Sequence, residues 1–231
     1  MRVSPFKVLH INLARGWRGG EEQTWRLMQE LRALGVEQGV CAHPKSPMGQ
    51  KAVEYDYPVV APAKLIRSPW IARHWDMVHA HDGRGVYLAR LLHSICGNPY
   101  VITRRDSRTP SDRALTRSVY RKASALAGVS SDVCEALRKI APNASIHPIS
   151  SAHSNGRPNL QRAKAWREQW LGNGRFLIGH AGALVDRNKG QSTLIKAVQQ
   201  LNNEGHRLRL VLMGIGPDQS ALQDLVGNDP A

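Results

Sequence analysis

Cysteine is scarce in this chain: Cys41, Cys96 and Cys134 are three thiols in 231 residues. The count is odd and there is no CxxC pair, so neither a disulfide framework nor a cysteine metal site is expected, and the thiols read as reduced and buried, as in a cytosolic protein. Aromatic residues make up 6% and do not alternate with the basic clusters, so a stacking platform for bases is not expected. No apolar run approaches the ~20 residues needed to span a bilayer. The opening Met1-Arg2-Val3-Ser4-Pro5-Phe6-Lys7 has no apolar signal core, so any membrane association is expected to be peripheral. Acidic residues are also few, 18 against 32 Lys+Arg, which gives a net charge of +14 and a pI near 10.3. That balance calls for an anionic partner: nucleic acid, a membrane surface or a phosphorylated substrate. There is no solenoid repeat and no low-complexity segment. Hydrophobic residues, at 42%, suffice for a core and exclude a disordered chain.

What the chain has is alternation. Short apolar runs at Lys7 to Asn12, Gly39 to Ala42, Tyr57 to Val60, Met77 to His81, Tyr100 to Thr103, Ala125 to Ser130 and Ser145 to Ile149 read as buried strands. Helical patterns fall at about Glu21 to Leu34, Gly85 to Ile95, Thr109 to Ser124 and Ser131 to Ile140. In the first helix, Leu27, Leu31 and Leu34 share one face, with Trp25 and Met28 beside them. The order is that of an α/β fold with a parallel, doubly wound sheet. Ser150 to Pro158 is polar and reads as a linker. A helix from Leu160 to Leu171 follows, then strand 176–181, helix 192–203, strand Leu208 to Met213 and helix 218–226. These last elements are too few for a complete doubly wound domain. The expected division is 1–155 and 156–231.

Four constellations carry chemistry. Gly182 to Gly190 joins a strand to a helix and holds Arg187 and Lys189, so a phosphate could sit on the helix N-terminus beside these cations. After the next strand, Gly214-Ile215-Gly216-Pro217 is a second glycine turn. Gly16-Trp17-Arg18-Gly19-Gly20-Glu21-Glu22 follows the first strand; it is not the GxGxxG dinucleotide fingerprint, so a nicotinamide enzyme is not expected. In Asp76-Met77-Val78-His79-Ala80-His81-Asp82-Gly83, His79 and His81 share one strand face. His79 reads as a buried, hydrogen-bonded residue, and His81 as a functional one at the strand's C-terminal end. A zinc site of His79, His81 and Asp82 lacks a ligand from elsewhere in the chain. Finally, Arg104 to Lys122 is strongly basic. Arg113, Arg117 and Arg121 fall four apart on the expected helix, with Leu115 and Val119 on its buried side. A phosphate-bearing lipid or saccharide, or nucleic acid, would neutralise such a stripe.

Gly182-Ala183-Leu184-Val185-Asp186-Arg187-Asn188-Lys189-Gly190, the segment STLIKAV and LVLMGIGP together resemble the C-terminal domain of GT-B glycosyltransferases of family 4. GWRGGEE resembles that family's glycine loop, with Gly19, Gly20 and Glu22 matching. DMVHAHD resembles its strand-end histidine motif and ALAGVSS a strand-to-helix segment late in its first domain. The resemblance spans about 7 to 226. It implies a retaining transfer of a sugar from a nucleotide donor to an acceptor across a cleft, with acceptor on the first domain and donor on the second. It places His81 and Lys189 at catalytic positions. Donor binding is expected at Gly19, Gly20, Gly182, Arg187, Lys189, Gly190, Gly214 and Gly216, and acceptor binding at Arg104, Arg105, Arg113 and Arg117. No metal and no cofactor are expected, because protein cations would take the diphosphate charge.

Two departures stand out. Where the family carries Arg after the first glycine, this chain has Ala183, and Arg187 is the candidate replacement. The family's pair of glutamates further on is not reached by Ala231, so the chain reads as a fragment, a truncated product or one half of a split enzyme, and these residues alone are not expected to transfer sugar at a useful rate. The expected acceptor is lipopolysaccharide or another lipid-linked or polysaccharide glycan of the cell envelope. Residues 1–150 carry 22 Lys+Arg against 12 Asp+Glu, which suits a cytoplasmic protein held at the inner face of the cytoplasmic membrane. No nucleic-acid partner is expected. The competing reading is a non-catalytic basic α/β module that binds anionic surfaces or nucleic acid, and a weaker one, by fold analogy, is a sugar-nucleotide epimerase.

Overall fold

The computed structural model describes residues 5–152, 158–172 and 176–227. The middle of the expected linker, the 155/156 boundary and the final Asn228 to Ala231 lie outside them. Contacts divide the chain into two units, Met1–Ser154 and Asn155–Ala231.

The first unit is built on seven parallel strands: β1 (Lys7–Ile11), β2 (Glu37–Cys41), β3 (Val59–Val60), β4 (Met77–Ala80), β5 (Tyr100–Arg104), β6 (Ala125–Gly128) and β7 (Ile146–Pro148). Their order is β3-β2-β1-β4-β5-β6-β7. The chain works outward from β1 in one direction, then returns to β4 and works outward in the other. Alternating side chains sort the sheet into two faces. Leu9, Ile11, Val78, Ala80, Ile102 and Leu126 join Leu92 of α4 (Gly85–Cys96) and Leu137 of α6 (Ser131–Ile140) in the larger core. Val40 and Ala42 turn the other way, to Trp25 and Met28 of α1 (Gly19–Ala33) and Met48 and Ala52 of α2 (Pro47–Glu54). Each fully buried large side chain contributes ~1.5–3 kcal/mol relative to an exposed one.

The structure corrects several expectations. The buried face of α1 is Glu21, Thr24, Trp25 and Met28, one helical series. Leu34 is not on it: it caps the helix end before Gly35, whose φ of 77° turns the chain away, and it is 78% exposed. Helix α2, α3 (Pro62–Arg67) and a 3-10 helix (Pro69–His74) were not anticipated. Each begins at proline, whose fixed φ and missing N–H suit the first helical turn. Helix α5 runs Ala114–Arg121, shorter than expected, with Arg113 extended at its N-cap. Thr116, Val119 and Tyr120 form its buried side, and Leu115 is 64% exposed.

In the second unit, β8 (Phe176–Ala181) and β9 (Leu208–Met213) pair in parallel. Around them lie α7 (Leu160–Leu171), α8 (Asp186–Lys189), α9 (Gln191–Asn203) and α10 (Gln219–Val226). The core is small: Leu184, Ile195 and Leu222, with Leu210 and Leu212 packed against them.

Candidate functional site

The reversal of strand order falls between β1 and β4, and open α/β sheets bind ligands beyond the strand C-termini at such a point. There the structure has a hollow of about 450 Å³, lined by Leu13, Ala14, Arg15, Gly16, Arg18, Glu21, Asp82, Gly83 and Arg84. Asp82 builds it. One carboxylate oxygen accepts the Leu13 N–H at 2.6 Å, and the other accepts the Arg84 and Gly85 N–H groups at 2.8 and 3.0 Å. It thus ties the β1–α1 loop to the start of α4, and both its oxygens are spent on backbone, which removes it from the zinc set considered above. At the start of α1 the buried Glu21 carboxylate accepts the Arg18 N–H at 3.0 Å. A Cβ on Gly19 would meet nothing within 4 Å, and one on Gly20 would touch only the Arg105 side chain at 3.9 Å. The helix entrance is therefore open beside Gly19 and lies over Arg105 at Gly20. Glu22, the residue matching the family glutamate, is held by Trp17 and Arg26 at 3.2 and 2.8 Å.

His79 and His81 do share a face of β4, and a third imidazole joins them. His10 on β1 is the register partner of His79, and ring centroids lie 3.9 Å apart for His79–His81 and 5.2 Å for His10–His81. His79 bonds Thr103 Oγ1 at 2.8 Å. His10 reaches His81 on one side and Gln38 on the other, each at 3.0 Å. Burial pushes the pKa of His10 down to about 4, against the Gln38 bond that raises it. Burial, then the neighbouring rings and Arg105, hold His79 and His81 well below the ordinary histidine value. All three are neutral at pH 7. One nitrogen from each lies within 4.8 Å of the others, so the trio is the group among the described residues that could hold a metal ion. The sequence signal for His10 was a polar residue amid the apolar run of β1; its partner could not be read because it comes from a strand about 70 residues away.

The basic run does not form one stripe. Arg105 Nη1 donates to the His81 carbonyl at 3.2 Å; burial lowers its pKa, opposed by the charge of Glu21. Arg104 donates to the Tyr120 hydroxyl at 3.2 Å and to the Arg108 carbonyl. Arg117 pairs with Asp112 at 2.9 Å, and Arg121 donates to the Ile140 carbonyl at 3.0 Å. Arg113 precedes the helix, so the four-residue spacing does not carry it onto the same face. Of the four acceptor candidates, only Arg105 lies at the switch point.

In the second unit, Gly214 and Gly216 prove to be sites of backbone contact. A Cβ on Gly214 would fall 1.9 Å from the Gly182 oxygen, and one on Gly216 2.2 Å from the Leu184 oxygen. The two glycine turns interlock, and the missing side chains at Gly214 and Gly216 make room for this backbone crossing. The N-terminus of α9 also has a protein partner. Asp186 accepts the Ser192 N–H at 2.7 Å and its hydroxyl at 2.6 Å, bonds that hold the Asp186 pKa below its usual value. That carboxylate caps one N–H of the helix end at which a phosphate was expected. The cations stand apart from it. Arg187 and Lys189 lie on α8, exposed and with no carboxylate within 4 Å among the described residues. The Lys189 stem passes over Gly182, next to the His180 ring, each within 4 Å of where a Gly182 Cβ would be. Gly190 has φ 67°, the left-handed turn that separates α8 from α9.

A family described as a glycosyl transferase 4-like domain matches residues 18–152, more than half of the chain. The chain belongs to this family. A comparison with curated proteins finds no match. Among solved structures, the glycosyl transferase 4-like chain resembles HepE of Anabaena, solved with UDP and glucose, at TM-score 0.76 and 16% identity over 96% of this chain and 66% of that one. HepE with UDP-glucose gives 0.75 and 16%, over 95% and 65%. A glycosyltransferase from Rickettsia africae gives 0.73 and 14%, over 98% and 66%. The lipopolysaccharide outer core galactosyltransferase WaaB, in its apo form, gives 0.64 and 14%, over 96% and 64%. At these identities the likeness establishes the GT-B fold, and the chain spans about two thirds of the length of these structures.

Proposed function

We propose that the chain is part of a glycosyltransferase that moves a hexose, with retention of configuration, from a nucleotide sugar to a cell-envelope glycan such as lipopolysaccharide. The observation that carries this reading is the β8–α8 loop. Among the described residues of the second unit, Lys189 and Arg187 stand free of carboxylates after the C-terminal end of a parallel strand. Interlocked glycine turns give the loop one backbone course. Cations beside a leaving diphosphate act on it more strongly as its charge develops in the transition state. Protein charge does this work, so no metal is assigned to the donor. In the first unit His81, Arg105 and the open helix entrance at Gly19 supply neutral and cationic groups for hydroxyls and phosphate.

The acceptor side is proposed to work at an anionic membrane surface on the cytoplasmic side. Tyr87, Leu91 and Ile95 lie four apart on α4 and are exposed, beside exposed Ile66, Trp70 and Leu115. Tyr87 bonds Thr116 of α5 at 3.0 Å and Cys96 bonds the Pro69 carbonyl at 3.2 Å, so these elements share one side of the unit. Segments 62–75, 84–97 and 113–122 contain no acidic residue. Apolar groups among basic ones suit the interface of an anionic bilayer. No helix among the described residues is long and apolar enough to cross a membrane.

Calorimetric titration with UDP-glucose tests the donor site. Lys189→Ala is expected to weaken binding by about tenfold, roughly 1.4 kcal/mol, and Arg187→Ala by less. Unchanged affinity in the Lys189 variant would remove the loop from donor binding; unchanged affinity in the Arg187 variant would show that it does not replace the cation missing at Ala183.

A further inference from the structure

The histidine trio contains a directional chain of hydrogen bonds whose sense is fixed at one end. Gln38 Nε2 faces two backbone carbonyls, Met28 O at 2.9 Å and Val36 O at 3.4 Å. Carbonyls only accept, so this end of the amide is its NH2 group and Oε1 is the atom that meets His10. An amide oxygen also only accepts, so His10 Nε2 carries a hydrogen and donates at 3.0 Å. His10 is neutral, which leaves Nδ1 as a lone pair. His81 Nε2, 3.0 Å from it, must therefore be the donor. His81 is neutral too, so its remaining nitrogen, Nδ1, is a lone pair. That atom is buried and has no protein partner among the described residues, in a residue only 6% exposed. The neighbouring Arg105 Nε is a buried N–H donor in the same condition. A buried acceptor left unpaired costs ~1–3 kcal/mol, and a hydroxyl, which both donates and accepts, is the group that satisfies such a pair.

We propose that Gln38 and His10 are positioning residues that lock His81 in its Nε2–H tautomer, so that the Nδ1 lone pair accepts a hydrogen bond from a hydroxyl of the bound saccharide. The hydroxyl assignment rests on the glycosyltransferase reading above; the tautomer lock does not. A metal held by the three rings competes with this assignment. It is disfavoured by the existing pairings of His10, His79 and His81 with Gln38, Thr103 and one another, and by the cationic Arg105 beside them.

The test is long-range 1H–15N NMR of the full 231-residue chain with 15N-labelled histidine at pH 7. The expected spectrum gives His10 and His81 one pyrrole-like Nε2 and one pyridine-like Nδ1 each. Gln38→Leu removes the acceptor at the end of the chain, and His10→Phe removes the acceptor of His81; each is expected to give His81 a mixture of tautomers. A merely structural role for Gln38 or His10 would leave that signature unchanged in a variant that folds. A His81 with Nδ1 protonated in the native chain overturns the proposal, as does an unchanged Nε2–H tautomer in both variants. Stoichiometric zinc that shifts all three histidines together overturns it in favour of a metal centre. Two ligands separate the two proposals. A shift at His81 Nδ1 on addition of glucose supports the hydroxyl contact, and no shift at saturating glucose overturns it. No binding of UDP-glucose, with the tautomer intact, overturns the donor reading and leaves the lock established.

Discussion

Acid is expected to weaken the first unit from about pH 6.5 downward, before most carboxylates are protonated, because the unit buries neutral histidines. His10 has an ordinary pKa of 6.5 and one of about 4 in the folded chain, with burial as the main cause. Between those values the unfolded chain binds a proton that the folded chain does not, so stability falls as pH falls. His10's share is fully present above pH 6.5 and is lost as the pH drops towards 4. The whole difference of about 2.5 units corresponds to about 3.4 kcal/mol at 1.36 kcal/mol per unit. At pH 5 about 2 kcal/mol of it has gone. His79 and His81 are shifted in the same direction and add to the loss. Urea unfolding at pH 7.5 and pH 5, followed by fluorescence of the buried Trp25 and Trp75, measures it. With an m-value of about 2 kcal/mol/M, the midpoint should fall by about 1 M or more. A His10→Gln variant, whatever its own stability, should show a smaller fall. An unchanged midpoint in the native chain would refute neutral burial of the trio and, with it, the lone pair assigned to His81.

Gly214→Ala should destabilise the second unit by about 2 kcal/mol or more, since its Cβ would lie 1.9 Å from the Gly182 oxygen and backbone must yield. Thermal melting read from the stacked Trp166 and Trp170 would show it, with Gly19→Ala, whose Cβ meets nothing, as the unaffected control. Sedimentation with vesicles of anionic lipid should retain the chain at low salt and lose it as salt rises. Trp70→Ala should weaken retention, and a stronger gel shift with generic duplex DNA than retention on vesicles would favour the nucleic-acid module.

Most of the fold was legible because its signals are local. Strands 176–181 and Leu208 to Met213 and the helix Leu160 to Leu171 needed only apolar runs and their bounding glycines. The short helices after Pro47, Pro62 and Pro69 carried the proline signal, but too few residues for a periodic pattern. The site was legible only in part. His81, Arg105 and Lys189 were visible as residue types at strand ends. His10, Gln38 and the work of Asp82 were not, because each is defined by a neighbour about 30 to 70 residues away. The backbone crossing at Gly214 and the Asp186 cap of α9 were hidden for a related reason: each depends on a partner, Gly182 in one case and Ser192 in the other, that a glycine turn does not by itself name.

The pairing of β1 with β4 also has a consequence for how the molecule comes into being. His10–His81 and Leu13–Asp82 join residues 71 and 69 apart. Closing a loop of that length costs about 3.8 kcal/mol of chain entropy beyond a constant, before either contact returns anything. During synthesis, β1, α1 and β2 emerge with one wall of the pocket missing. Its floor exists only after the chain has passed β4 and Asp82 has followed. The hollow at the switch point is therefore a late product of folding, assembled by the same long-range closure that sets the rate at which the sheet completes itself.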